Sequence, residues 1–417
     1  MIPKGEIIKT DSGRCLCVKS MIKAGGQGEA YRVTEADTGQ DGVLKVFHKR
    51  FVKSATVERL RFLIDQDLHS ACPVLMPPVD MLSEGSLVGH YTPLAQGQLL
   101  EEFLRNPKST FIEELQLAIA LAHAICVLHD REIAHGDLHA ENLIVHRIGT
   151  ALHLAIIDLD NFSAPGIPPP PCIGHNLYMA PELRKALAQE RPAVPTLLTD
   201  LYSLGVLMHE IILLCHPSAG NDSNANDFQK AMCAGKWLMD PAYTDPGGGG
   251  KTFGYPTAIL NTDLARLFRN AVSVHPAERP SANRWKDNLN KAFHAVYCCP
   301  NPKCGCPCII DVSKIACPLC GAPYPHLTMR ISGHGGAIHL VNGSTVIGRT
   351  ELGNSRMVSE RHAIFHRIGP ETWLESVGRN GSYRWSGIEW IRLPDKRSLL
   401  VQAGDRLRLG DVEVQLN

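Results

Sequence analysis

One run of residues constrains this chain more than any other feature. His135-Gly136-Asp137-Leu138-His139-Ala140-Glu141-Asn142-Leu143 is closed by Ile156-Ile157-Asp158-Leu159-Asp160. It sets an aspartate and an asparagine five positions apart in one loop, with a second aspartate after a short hydrophobic strand. Phosphoryl transfer needs a carboxylate beside the attacking hydroxyl and oxygen ligands for Mg²⁺ on the polyphosphate. Asp137 suits the first role; Asn142 and Asp158 suit the second. Upstream, residues 111–130 carry Leu115, Ile119, Ala122, Ile125 and Leu128 at helical spacing. That spacing predicts a long, buried helix feeding directly into the loop.

Residues 1 to about 90 read as short β segments with one helix. Ala24-Gly25-Gly26-Gln27-Gly28-Glu29-Ala30-Tyr31 is a glycine-rich turn between two predicted strands. Val43-Leu44-Lys45-Val46-Phe47 follows as a strand with a single lysine among apolar neighbours. Val57, Leu60, Leu63 and Ile64 give residues 56–67 a helical period. Glu58 is the best candidate there for a carboxylate paired with Lys45, with Asp65 or Asp67 as alternatives. Residues 87–97, around Tyr91-Thr92-Pro93-Leu94, form the expected hinge. Downstream come a proline-rich segment (residues 164–171), then Tyr178-Met179-Ala180-Pro181-Glu182, Thr199-Asp200-Leu201-Tyr202 and His275-Pro276-Ala277-Glu278-Arg279-Pro280.

In this order, over residues 22–280, six motifs resemble those of protein kinases. The resemblance implies an α+β bilobal kinase-like domain over residues 1–297, with a small lobe 1–96 and a large lobe 97–297. It implies ATP held by Gly25, Gly26, Gly28 and Lys45 with Glu58 behind the lysine, Asp137 at the substrate hydroxyl, and Mg²⁺ on Asn142 and Asp158. Asp200 would brace the catalytic loop, and Arg279 would pair with Glu182. The chain departs from the pattern in several places. Lys23 stands where the first loop glycine belongs, and Ala30 replaces a valine. Gly136 replaces an arginine, His139 a lysine, and Leu159-Asp160 a Phe-Gly pair. Similar His-Gly-Asp and doubled-aspartate loops occur in small-molecule phosphotransferases. Beside a protein Ser/Thr kinase there thus stand two alternatives, a small-molecule phosphotransferase and a pseudokinase scaffold. Ala180-Pro181-Glu182 and Arg279 favour a peptide substrate; the presence of Lys45, Asp137, Asn142 and Asp158 favours activity. Gly136 cannot pair with a phosphate, and Ser163 is the only Ser or Thr between Asp158 and Ala180, so activity is expected without loop phosphorylation.

A length of 417 residues suggests two to four domains, and 44% hydrophobic against 20% charged residues describes a globular chain. Equal numbers of basic and acidic residues (42 each) give no reason to expect nucleic acid or an anionic membrane as partner. The first residues show no basic start followed by an apolar core, so a cytoplasmic location is expected. Apolar stretches near residues 115–128 and 201–215 are broken by His or Glu and fall short of the ~20 residues of a membrane span. Of the 14 cysteines, seven fall between Cys298 and Cys320. Such clustering without an export signal points to metal. The stretch resembles a zinc ribbon over residues 298–325, with Cys299, Cys304, Cys317 and Cys320 as ligands; Cys306 or Cys308 could stand in for Cys304. Four thiolates close the Zn²⁺ coordination shell, so the role is structural.

From Thr328 onward, short alternating strands with glycine turns predict an all-β sandwich. Val346-Ile347-Gly348-Arg349, Val358-Ser359-Glu360-Arg361-His362, Gly378-Arg379-Asn380-Gly381-Ser382 and Gly404-Asp405-Arg406 together resemble the forkhead-associated (FHA) domain over residues 328–417. That family binds phosphothreonine peptides. The resemblance implies phosphate contacts from Arg349 and Ser359 with Arg361 assisting, Asn380 on the peptide backbone, and His362 bracing the loops. The combination resembles bacterial kinases of tellurite-resistance-type stress systems, which accompany a metal-dependent phosphatase and a von Willebrand A protein. The partners implied are protein substrates, a threonine-phosphorylated protein or the chain itself, and those two companions.

Overall fold

The computed structural model describes residues 1–83, 87–149, 151–170, 174–219, 225–242, 254–299, 301–311, 316–323, 327–332, 337–340, 343–368 and 371–417. Pro171, the glycines at 247–250 and Val312 lie outside the described residues. The chain divides into two compact units, Met1–Thr257 with Ala265–Leu289 and Ala258–Leu264 with Asn290–Asn417.

The first unit opens with β1 (Ile7–Lys9), β2 (Cys15–Ala24), β3 (Gly28–Glu35) and β4 (Asp41–Phe47). Helices α1 (Ser54–Asp65) and α2 (Leu68–Ala71) precede β5 (Asp80–Leu82) and β6 (Gly89–Pro93). The strands pair antiparallel in the order β1-β2-β3-β4-β6-β5. Alternation drives Leu16, Val18, Tyr31, Val33, Leu44 and Val46 into one core and leaves Lys45 on the other face of β4. The glycine turn joins β2 to β3, and Gly28 is required by packing. A Cβ there would lie 2.2 Å from the Val46 carbonyl oxygen on β4. No such crowding applies at Gly25 or Gly26.

Next come β7 (Gln98–Leu99), α3 (Leu100–Arg105) and α4 (Phe111–His129). A capping box starts α4: Glu113 N–H donates to Thr110 Oγ1, and Thr110 N–H donates back to the Glu113 carboxylate. By length and composition alone α4 could cross a membrane. Instead it buries Leu115, Leu121, Ile125 and Leu128 and packs on α6 (Leu197–Leu213), which makes it the large lobe's core helix. The hairpin β8 (Leu143–Ile148) and β9 (Ala151–Ile156) follows the catalytic loop and pairs with β7. α5 (Pro181–Ala188) lies between β9 and α6 and begins on a proline, which needs no N–H at that position.

In the second unit β10 (Val296–Cys298) pairs with β11 (Pro307–Ile309) in the cysteine-rich stretch. Among the described residues ten further strands follow: β12 (Leu327–Ile331), β13 (Ala337–Leu340), β14 (Gly343–Ile347), β15 (Ala363–Ile368), β16 (Glu371–Ser376), β17 (Ser382–Trp385), β18 (Trp390–Arg392), β19 (Ser398–Val401), β20 (Arg406–Leu409) and β21 (Val412–Leu416). They form two sheets, β13-β12-β21-β20-β17-β18 and β14-β15-β16-β19. Met329, Leu407 and Val414 from the first share one core with Ile347, Phe365 and Leu374 from the second. The result is a two-layer β sandwich.

Candidate active site

The catalytic loop is held from beneath by α6. The Asp200 carboxylate accepts the His135 N–H at 2.5 Å and the Gly136 N–H at 3.0 Å. Gly136 has φ +77°, and a Cβ on it would lie 2.6 Å from the Asn161 carbonyl oxygen. The arginine expected there therefore has no room, and the departure is steric. Asp137 follows with its side chain mostly enclosed. Asn161 Nδ2 donates to Asp137 Oδ2 at 3.2 Å, and His139 Nε2 lies 3.4 Å from Oδ1. Burial raises the Asp137 pKa, but His139, His135 and Asn161 outweigh it, and the net shift is downward. At neutral pH this residue is a carboxylate able to accept a proton. Asn142, itself buried, donates Nδ2 to the Asp137 backbone oxygen at 2.9 Å and so turns its Oδ1 away from that bond.

Lys45 Nζ lies 2.7 Å from Asp158 Oδ1, a pairing the sequence does not predict, with Asp158 in the left-handed region at φ +59°. The rest of the lysine's surroundings differ from expectation. Nζ also lies 3.0 and 2.9 Å from the two carboxylate oxygens of Asp160. Burial opposes every charge in this group. At Lys45 the two carboxylates outweigh it and the pKa rises. At Asp160 Lys45 outweighs it and the pKa falls well below the usual range. At Asp158 burial and the neighbouring Asp160 charge prevail, and the pKa rises.

The Glu58 assignment is corrected by this geometry. Glu58 is exposed on α1, whereas Arg59 is buried beside it. Burial pushes the Arg59 guanidinium down to about 10, against the opposing pull of Asp160, and it remains a cation at neutral pH. The physical reason is rotation. One residue turns a helix by about 100°, and the inward stripe runs through Arg59, Leu60 and Leu63. That stripe was visible in the sequence as the partners of Leu60 and Leu63, but a buried cation beside a lysine site is not what a motif search expects. Asn161 and Gln27 were likewise missed, and Asp160, read as a departure beside the metal ligand, was not expected to bind Lys45. Gln27 Nε2 donates to Asn161 Oδ1 at 2.9 Å, tying the glycine turn to the residue that holds Asp137.

Farther along, Glu182 accepts two hydrogen bonds from Arg279, each at 2.7 Å. Arg279 also donates to the Leu198 and Ser273 carbonyls and stacks 5.3 Å over the Tyr202 ring. Beside Asp137 the rings of His139 and His175 stack at 4.9 Å, and Tyr178 lies 5.5 Å from His175.

The protein kinase domain family model matches residues 17–290, more than half of the chain. The chain belongs to the protein kinase domain family. It is similar to the serine/threonine-protein kinase PknD of Protochlamydia amoebophila, 24% identical over 267 residues that cover 55% of this chain and 26% of that protein. It is also similar to human serine/threonine-protein kinase Nek5, 26% identical over 45% of this chain and 23% of that protein. Calcium-dependent protein kinase 5 of Plasmodium berghei is 22% identical over 54% of this chain and 39% of that protein. This chain thus spans between about a quarter and two fifths of the length of these curated relatives. Membership implies ATP and Mg²⁺. The donor set fits them: Asp158 and the Asn142 amide oxygen are hard oxygen ligands of the kind Mg²⁺ takes. Two carboxylates against one ammonium leave an excess negative charge that a divalent cation would balance.

In the second unit the sulfurs of Cys299, Cys304, Cys317 and Cys320 all lie within 4.8 Å of one another. Two pairs, Cys299–Cys320 and Cys304–Cys317, stand at 3.5 and 3.9 Å. A Zn–S bond of ~2.3 Å in a tetrahedron puts sulfurs about 3.8 Å apart, so this group could hold zinc. Cys306 and Cys308 are not part of it.

The expected phosphate-contacting residues of the sandwich sit in loops beside one another. Arg349 follows β14; its N–H donates to the Ser359 carbonyl at 3.0 Å and its Nε to the Val358 carbonyl at 3.0 Å. Ser359 Oγ accepts the Arg379 N–H at 3.1 Å, and Asn380 Nδ2 donates to the Met357 carbonyl at 2.8 Å. His362 is buried; its Nδ1 accepts the Ser359 N–H at 3.1 Å and its Nε2 donates to the Gly381 carbonyl at 2.8 Å. Arg349, Arg361 and Asn380 are exposed and Ser359 is half-buried.

Proposed function

We propose that this chain is a Ser/Thr protein kinase that transfers the ATP γ-phosphate to protein hydroxyls. The observation that carries the reading is Asp137, ionised and held by Asn161 and His139 beside Asn142, with Lys45 bound to Asp158 in the same unit. Asp137 orients the substrate hydroxyl and accepts its proton as the bond to phosphorus forms. Lys45 would hold the α/β-phosphates, Asn142 and Asp158 would hold Mg²⁺, and the glycine turn around Gly26 would let backbone N–H groups approach the phosphates, the Gly25 N–H itself being bonded to the Gly28 carbonyl. Bound Mg²⁺ neutralises charge on the phosphate oxygens. The bidentate Glu182–Arg279 pair supports a peptide substrate over a small molecule. Incubation with Mg²⁺ and γ-labelled ATP on a generic protein should yield phosphoserine or phosphothreonine, and Asp137→Asn should remove it. Label confined to a small molecule, or none at all, would refute the reading.

The same proposal gives the second unit two supporting roles. The four-cysteine group binds one structural Zn²⁺, which supplies folding free energy on the order of 10 kcal/mol in small zinc modules. Metal analysis should find about one equivalent, and chelation should unfold the cysteine-rich stretch. The sandwich is read as an FHA domain that binds phosphothreonine on a partner or on the chain itself. Arg349 offers a planar fork to the phosphate, a charge-assisted bond about twice as strong as a neutral one. Arg349→Ala should weaken phosphopeptide binding at least tenfold and leave transfer to an untethered peptide unchanged. Equal calorimetric affinity for phosphorylated and unphosphorylated peptide would remove this role.

A further inference from the structure

This inference rests on the kinase reading and concerns how the nucleotide end of that site is assembled. The residue that α1 turns inward is a cation. Arg59 is 4% exposed; Nη2 donates to the Asp160 carbonyl at 2.8 Å and the Phe162 carbonyl at 2.6 Å, and Nη1 donates to the Pro168 carbonyl at 2.6 Å. Its guanidinium lies 4.5 Å over the Phe162 ring, and Phe62, one turn along α1, stacks on that ring at 5.5 Å. A helix face occupied this way supplies no anion to Lys45. Among the described residues the lysine takes its anions from the turn after β9 alone, one oxygen of Asp158 and both of Asp160. One of these two carboxylates is needed for the metal. Asp158 gives the lysine one oxygen and its side chain is one-third exposed, so it is the one open to a metal, whereas the enclosed Asp160 has both oxygens on Lys45.

We propose that Asp160 is the positioning residue that holds Lys45 toward the nucleotide, and that Arg59 holds Asp160 through its backbone. The lysine's anchor then travels with the metal ligand, on the three-residue turn Asp158-Leu159-Asp160, and not with α1. Displacing α1 loosens this turn through Arg59 but does not by itself withdraw a carboxylate from Lys45.

A double-mutant cycle on the full chain tests this, with calorimetric binding of a non-hydrolysable ATP analogue as the readout. Asp160→Asn should weaken binding roughly tenfold, the worth of one charge-assisted contact. Placed on Lys45→Met, Asp160→Asn should add nothing, because it acts only through the lysine. Additive losses would overturn the proposal. So would a loss that persists in Lys45→Met and vanishes without Mg²⁺, since Asp160 would then be a metal ligand itself. Glu58→Gln, an exposed change that should not disturb folding, is expected to leave affinity within about twofold; a tenfold loss there would return the anchor to α1. Asp160→Glu keeps the charge and should recover part of the affinity that Asp160→Asn loses. Wild-type chain that binds no nucleotide would overturn the kinase reading and this inference together, whereas binding without coupling would overturn only the inference.

Discussion

Two ion-paired regions of the kinase unit are built on different terms. At the Glu182–Arg279 pair, one cation is wholly enclosed, meets two backbone carbonyls and an aromatic face, and binds a single carboxylate that is one-third exposed. Each of the three guanidinium nitrogens there has a partner and the charges balance. At the Lys45 cluster, the buried Asp160 and the one-third-exposed Asp158 share one ammonium, their titrations oppose each other, and the cation on the neighbouring helix binds carbonyl oxygens in place of a carboxylate. A balanced pair leaves nothing for a ligand and acts on stability. An unbalanced one keeps negative charge in reserve and acts on binding.

If that distinction is sound, the largest effect comes from Asp158→Ala. It should lower phosphate transfer by about a thousandfold, equivalent to roughly 4 kcal/mol in barrier height. The protein should remain folded, because Lys45 keeps Asp160 as a partner. Thermal unfolding and steady-state kinetics on the same preparation check both halves. Retained activity would break the comparison at its stronger end.

Arg279→Met should reverse the pattern. Removing the guanidinium leaves Glu182 without its partner and the Leu198 and Ser273 carbonyls without a donor. Breaking an enclosed pair from one side typically costs about 3–5 kcal/mol, and the exposure of Glu182 places this case near the lower end. The checks are a lowered denaturation midpoint and, among molecules still folded, nucleotide affinity close to wild type. A change in affinity without loss of stability would show that the two regions are not separable in this way.

The sequence made the balanced region legible and the unbalanced one only partly so. Glu182, Arg279, Asp200 and the catalytic loop stand at fixed intervals in a pattern whose partners are specified by the motif itself, and the structure brings them together. The helices at 56–67 and 111–130 were readable from period alone; the structure has them at Ser54–Asp65 and Phe111–His129. Glu58 misled because charge type was weighed above helical phase, and the inward phase belongs to Arg59. Gly136 read as a missing arginine; only coordinates reveal the Asn161 carbonyl that forbids a side chain. The cysteine group was readable except at one position, where Cys306 or Cys308 could stand in for Cys304; the structure groups Cys304 with Cys299, Cys317 and Cys320. What stayed hidden is the use of Asp160 and Asn161, since nothing in a one-dimensional pattern says which way a residue after a left-handed aspartate will point.

The smallest effect is expected at Ser163, and it tests the claim that the unbalanced region needs no phosphate to complete it. Ser163 N–H donates to the Ala134 carbonyl at 2.9 Å, and Ala134 N–H donates back to Ser163 at 2.8 Å. This isolated bridge fastens the segment to Ala134, just before the catalytic loop. The Ser163 hydroxyl oxygen is buried and has no hydrogen-bond partner among the described residues. A phosphate on it would have to leave that environment and break the bridge, and Gly136 offers no guanidinium to receive it. Ser163→Ala should therefore leave transfer rates within about twofold and stability within about 0.5 kcal/mol, with any shift toward greater stability because an unsatisfied hydroxyl is removed. Mass spectrometry of active protein should find Ser163 unmodified. Loss of most activity in Ser163→Ala, restored by Ser163→Asp, would mean that the Lys45 cluster is completed by an added anion and is not self-sufficient.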